Sequence, residues 1–258
     1  MTESGLLVDV RVDDGVGLLR LNDPAHRNAL SKRLSDDLAN AVTTALEQGA
    51  RALVLSAAPP VFCAGGSLQG LQRRDTPLTA TYAGMERLAA APVPTIAAVG
   101  GPAVGAGVNL PLACDIVVAT PAARFDPRFL DVGIHPGGGH LWRLAERIGA
   151  QGAAAMVLCG DVLTGEEAER RGLAWRCVPQ AELDATALKL ARKAAARSPE
   201  LVRRTKQSLR ESLEVPVAEA AALELAAQEW SVGRPEFAET VQRVLHDLQT
   251  RKERRDQS

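Results

Sequence analysis

Thr95-Ile-Ala-Ala-Val-Gly-Gly-Pro-Ala-Val-Gly-Ala-Gly-Val-Asn-Leu-Pro-Leu-Ala-Cys-Asp-Ile-Val-Val-Ala119 holds two short apolar runs, Thr95 to Val99 and Asp115 to Ala119, on either side of a glycine-rich loop and a short helical stretch. Each run has the length and composition of a strand, and strand, loop, helix, strand in that order is a crossover unit. The same stretch lies in a window without any charged residue, Leu88 to Cys114, which is long enough to cross a bilayer. Pro92, Pro94, Pro102 and Pro111, with glycines at 100, 101, 105 and 107, would break a spanning helix several times over, so the window reads as buried backbone.

The same alternation continues toward the N-terminus. Arg51 to Ser56 is a third apolar strand, and Leu6 to Val12 and Val16 to Leu21 form a hairpin across Asp13-Asp14-Gly15. Between them Ser31 is placed to cap a helix whose apolar stripe is Leu34, Leu38, Val42 and Leu46. The order predicts an α/β fold with crossover helices. Beyond about residue 137 the β signal nearly disappears. Thr164-Gly-Glu-Glu167 reads as a capping box opening a helix that Gly172 ends, and Leu173 to Val178 is the one strand expected in this half. From Glu182 the pattern is helical, with starts at Ser198-Pro199, Val215-Pro216 and Gly233-Arg234-Pro235. The reading is a core over 1–195, a helical region over 196–258, and a charged end, Arg251 to Ser258, that is expected to fray.

Composition narrows the function. The chain has 258 residues, 46% apolar and 24% charged, which is ordinary globular usage and excludes disorder. Thirty Lys and Arg against 31 Asp and Glu leave a formal charge of -1, so no global field points to nucleic acid or an anionic membrane. Aromatics are 3% of residues, too few for base-stacking platforms. Cys63, Cys114, Cys159 and Cys177 lack the short spacing of a zinc knuckle or redox dithiol and read as small buried residues. No metal site is expected from the histidine and carboxylate spacing. The first residues lack a basic segment followed by an apolar one, so no secretory signal is read and the cytoplasm is the default.

Two glycine-rich loops each lie between a strand and a helix: Phe62-Cys-Ala-Gly-Gly-Ser-Leu68 and Gly100 to Asn109. A helix starting in such a loop offers unpaired backbone N–H groups and the positive end of its dipole, and two such ends together would cradle an anion. Glycines that merely permit tight turns are the plainer alternative. Neither loop carries the Gly-Lys-Ser/Thr of a P-loop or a full Gly-x-Gly-x-x-Gly, which disfavours ATP and NAD.

Arg27-Asn28-Ala29-Leu30-Ser31, the loop Phe62 to Leu68, Pro94 to Val99, and Gly105-Ala-Gly-Val-Asn-Leu110 leading to Ala113-Cys114-Asp115 together resemble the successive signatures of the enoyl-CoA hydratase/isomerase (crotonase) superfamily. The likeness continues through Ala123-Arg-Phe125, Gly160, Leu163-Thr164, Glu167-Ala168, Gly172-Leu173 and Ser198-Pro199. It implies a β-β-α spiral core, a C-terminal helical region used in forming a homotrimer or a dimer of trimers, and an acyl-CoA substrate without a separate cofactor. The family's two oxyanion-hole N–H groups map onto Gly66 and Ala106. Arg27, Ala29, Leu30, Ala64, Gly65, Gly105, Asn109 and Phe129 would line the ligand, and a basic face at Arg203, Arg204 and Lys206 would either reach CoA phosphates or be solvated.

The resemblance breaks at the proton-transfer positions. Family hydratases carry two glutamates flanking the reacting double bond, and the matching positions here are Asn109 and Phe129. Neither side chain exchanges a proton near neutral pH, whereas hydration needs a group that takes a proton from water and one that gives a proton to the α-carbon. Asp131 and His135 are the expected replacements, with Asp126 and His140 as weaker candidates and Asn109 as a positioner of water or thioester. Three functions stay open: enolate chemistry on acyl-CoA, a different cleavage such as thioester hydrolysis or decarboxylation, and non-catalytic acyl-CoA binding.

Overall fold

A computed structural model describes residues 5–73 and 76–256, which divide into two compact units at Arg197 and Ser198. In the first unit β1 (Val8–Asp13) and β2 (Val16–Leu21) pair as an antiparallel hairpin, with Asp14 and Gly15 both at positive φ in the turn. The sheet then grows by parallel addition of β3 (Ala52–Ala57), β4 (Thr95–Val99), β6 (Ile116–Ala119) and the short β9 (Arg176–Cys177), in the order β1-β2-β3-β4-β6-β9. A second, three-stranded sheet is formed by β5 (Pro102–Val104), β7 (Arg124–Asp126) and β8 (Leu163–Thr164).

The helices of this unit are α1 (Lys32–Glu47), α2 (Leu68–Arg73), α3 (Leu78–Ala89), α4 (Asn109–Ala113), α5 (His140–Cys159), α6 (Gly165–Arg171) and α7 (Leu183–Ala195). Sequence explains their placement. Ser31 Oγ accepts from Leu34 N, and the buried stripe of α1 is Leu34, Leu38, Ala41, Val42 and Ala45, which faces the sheet. Along β3, Leu53 and Leu55 point into one core cluster while Ala52 and Val54 point into the other, where Leu183, Ala187, Ala191 and Ala195 of α7 cover them. Burial on both faces is why this strand is a continuous apolar run. The Ala stripe brings α7 close to the sheet.

Some expected bounds shift. The run Leu173 to Val178 is laddered only at Arg176–Cys177, because Leu173 and Ala174 end α6 and are buried in the main core, with Ala174 N–H donating to Ala168 O. The capping box at Thr164 is present, with both reciprocal bonds to Glu167. The second unit comprises α8 (Pro199–Ser212), α9 (Val217–Val232) and α10 (Pro235–Asp256). The stretch expected to fray begins inside α10, which extends to Asp256, and residues 257–258 lie outside the described ones. Among the described residues no helix is long and apolar enough to cross a membrane, and no cluster of His, Cys, Asp or Glu could hold a metal ion.

Candidate active site

Three backbone segments are stitched side by side, and the first glycine loop is the middle one. An isolated parallel bridge joins Leu30 to Gly66, with Leu30 N–H donating to Gly65 O at 2.8 Å and Ser67 N–H to Leu30 O at 3.4 Å. On its other side a second bridge joins Cys63 to Ala103, with Cys63 N–H donating to Pro102 O and Val104 N–H to Cys63 O. In a parallel bridge the donors belong to one strand's bridging residue and to the residue after its partner. The N–H of Gly66 itself therefore points away from Leu30, and no backbone acceptor takes it among the loop bonds.

Glycine is required where the loops touch. Gly65 has φ +90°, and a Cβ there would lie 2.5 Å from Val104 O and 3.6 Å from Ala106 N. Gly107 faces back, since its Cβ would lie 2.4 Å from Cys63 O. Standard bond lengths carry the 3.6 Å approach across the next peptide, putting the Gly66 and Ala106 nitrogens within about 7 Å of each other. Ala106 is in the first turn of the 3-10 helix Gly105–Val108, where N–H groups lack an intrahelical acceptor. Gly66, by contrast, is in a roomier position: among the described residues a Cβ there meets only Leu71 Cδ1, at 3.6 Å. Gly66 lines a cleft of about 640 Å³ with Leu30, Ser67, Leu71, Leu78 and Thr81.

Asn28 holds the far side of this assembly, and its role was not legible beforehand. Its backbone is left-handed, at φ +53°, as is that of Arg27. Its buried amide accepts from Asp23 N and donates to Ala58 O and Val61 O. This anchors the segment that presents Ala29 and Leu30, while Arg27 stays exposed and its carbonyl accepts from Ala64 N–H.

The second loop runs directly into a buried polar cluster. Asn109 N–H donates to Ala106 O, which sets Asn109 one helical turn from the Ala106 amide. The Asn109 side chain is fully buried, with Nδ2 donating to Gly137 O at 2.9 Å and Oδ1 2.6 Å from His140 Nδ1. Phe129, also buried, meets the His140 ring edge-on with centroids 4.9 Å apart. Asn109 and Phe129 thus converge on one imidazole. Gly138, at φ +68°, allows Tyr82 of α3 to close over them, because a Cβ there would fall 2.8 Å from the Tyr82 ring and 2.9 Å from Asn109 Nδ2.

The described contacts of the remaining sequence candidates run to other partners. Asp131 and His135 are exposed on the segment between Phe129 and α5, and His135 Nδ1 is 2.7 Å from the Pro136 carbonyl oxygen. Asp126 is buried and paired with Arg128. In the second unit Arg203 and Arg204 both bond Glu200, holding its carboxyl down at about 2, and Arg204 stacks on Trp230 at 3.9 Å. Cys63, buried beneath the first loop, has its thiol pushed up to about 12 by burial and is no nucleophile.

His140 has consequences for stability. Burial pushes its imidazole down from 6.5 to about 4, so it is neutral at pH 7. The unfolded chain takes up this proton below about pH 6.5, and the folded chain does so only near pH 4. Stability from this group is therefore complete above pH 6.5 and is lost as pH falls toward 4, by about 3 kcal/mol in all. Urea titrations at pH 7.5 and 4.5 should show a drop in wild type that exceeds the drop in His140→Gln by an amount of that order.

Comparison with known proteins bears on the family. The enoyl-CoA hydratase/isomerase family model matches residues 11–251. A Mycobacterium tuberculosis protein named "Probable enoyl-CoA hydratase EchA14" is 39% identical over 91% of this chain and 96% of its own length. The 2,3-dehydroadipyl-CoA hydratase of Escherichia coli is 38% identical over 77% of this chain and 79% of its own. The crystal structure of enoyl-CoA hydratase from Bacillus anthracis superposes with a TM-score of 0.86 at 28% identity, covering 93% of this chain and 96% of that one. With the spiral of sheets, the paired glycine loops and these likenesses together, the chain belongs to the enoyl-CoA hydratase/isomerase family.

Proposed function

We propose that the protein is an acyl-CoA-binding enzyme of hydratase type, which holds the carbonyl oxygen of a CoA thioester between the N–H groups of Gly66 and Ala106. The observation that carries this reading is the close approach of the two loops, with a Gly65 Cβ position 3.6 Å from Ala106 N and the Gly66 N–H directed away from its only backbone neighbour. When water adds across an enoyl thioester, charge moves onto the carbonyl oxygen. Fixed donors stabilise it by about 3–4 kcal/mol each. CoA enters as part of the substrate, with Arg27, Ala29, Leu30, Ala64, Gly65 and Gly105 along its path and no separate cofactor. The relatives' names support hydration over the alternatives.

Asp131 and His135 remain the acid/base pair expected from sequence, but their exposed surroundings lend that role no support. Assembly as a trimer or a dimer of trimers is part of the proposal. It is supported by the apolar side chains that α8 and α9 leave exposed, among them Leu209, Val217 and Leu225. A cytoplasmic setting suits cysteines at 63, 114, 159 and 177 whose spacing reads as no disulfide framework.

The test is turnover. Purified protein is incubated with saturated, 2-enoyl and 3-enoyl acyl-CoAs and the products are followed by mass. Gain of one water from the 2-enoyl thioester is the expected result. Free CoA would replace the reading with hydrolysis, a shifted double bond at constant mass with isomerisation, and binding without turnover with a carrier role.

A further inference from the structure

Resting on the acyl-CoA reading above, we propose that His140 is the proton-transfer residue of this enzyme, with Nε2 serving as a single base and acid and Asn109 fixing its tautomer. Asn109 Nδ2 donates to Gly137 O, so Oδ1 is an acceptor, and the 2.6 Å contact makes His140 Nδ1 the donor. The lone pair is then on Nε2. That atom is buried and has no hydrogen-bond partner among the described residues, although burying an acceptor unsatisfied costs stability. The imidazole is reached from Ala106 by one helical turn and one hydrogen bond, and on this proposal it faces the α- and β-carbons of a thioester whose oxygen is held at Ala106.

The step balances with one group. Nε2 takes a proton from water as the water oxygen bonds to the β-carbon. The π electrons pass to the carbonyl oxygen held by Gly66 and Ala106. The enolate then collapses, and its α-carbon takes the proton back from Nε2, giving the 3-hydroxyacyl thioester and the starting imidazole. Burial helps here, because a neutral imidazole whose conjugate acid lies near 4 matches a carboxylate in basicity. Among the described residues, polar groups on the neighbouring elements include Tyr82 on α3, whose neutral hydroxyl is favoured by burial, and Arg143 one turn along α5, which pairs with Glu86 at 3.3 Å.

Crotonyl-CoA hydration and butyryl-CoA binding are to be measured on wild type, His140→Gln and His140→Ala. The expected result is a loss of about 10²–10⁴ in kcat for both variants with butyryl-CoA affinity within threefold, and partial rescue of His140→Ala by added imidazole. Wild-type kcat in both variants would overturn the proposal, as would an undiminished loss in the presence of imidazole with a lowered butyryl-CoA affinity. Failure of wild type to bind butyryl-CoA would overturn the acyl-CoA reading itself and the proposal with it. Should the variants not fold, ¹⁵N-histidine spectra of the wild type decide. A His140 Nε2 that carries no proton and shifts on adding butyryl-CoA supports the assignment, and a protonated or unmoved Nε2 contradicts it.

Discussion

Gly66→Pro is expected to lower kcat for enoyl-CoA hydration by about 10²–10³ while leaving the fold intact, because it deletes one donor to the developing oxyanion. The substitution is unusually clean at this position. The Leu30–Gly66 bridge uses the N–H groups of Leu30 and Ser67 and leaves that of Gly66 out, so proline breaks no ladder bond. Gly66 is not among the residues with positive φ, and among the described residues its Cβ position meets only Leu71, at 3.6 Å. The residue before it, Gly65, has no Cβ to clash with the new ring. Gly66→Ala is the control: it adds the same Cβ, keeps the N–H and is expected to lose less than tenfold. Steady-state kinetics on the two variants, with circular dichroism melts beside them, check the difference.

Gly107→Ala is expected to disturb the structure where the two loops touch. Its methyl would sit 2.4 Å from Cys63 O and 3.0 Å from Cys63 C and Cβ, so backbone rather than a flexible side chain must yield. The two loops would have to part by about 1 Å, a movement comparable to overpacking a core and costing roughly 1–3 kcal/mol. The same shift misplaces the Ala106 donor relative to Gly66, and displacement on that scale costs about 10² in rate. A substitution two residues earlier provides the contrast. Gly105 has φ +51° but open space around its Cβ position, so Gly105→Ala is expected to cost only about 1 kcal/mol of backbone strain. Thermal midpoints and kcat for the pair test whether the glycines serve packing or conformation.

The parts legible in the sequence are those governed by local physics. β3 and β4 were readable because strands buried on both faces are continuously apolar, and the hairpin because Asp14-Gly15 suits a turn at positive φ. β5, β7 and β8 escaped because two or three residues carry no period. The glycine loops were visible as composition, but their approach is tertiary: Gly65 meets Val104 and Gly107 meets Cys63 across distant chain positions. His140 gave the weakest local signal of the candidates. Its environment is assembled from Asn109, Phe129 and Tyr82, which lie on three separate segments. Asp131 and His135 stood out beforehand through residue type, which says nothing about the solvent around them.

The most direct measurement is the infrared carbonyl stretch of crotonyl-CoA labelled with ¹³C at the thioester carbon, recorded free, bound to wild type and bound to Gly66→Pro. Two convergent backbone donors should lower the frequency on binding to wild type and leave a clearly smaller shift in the proline variant. A bound frequency equal to that of the free thioester, or an equal shift in both proteins, would contradict the account.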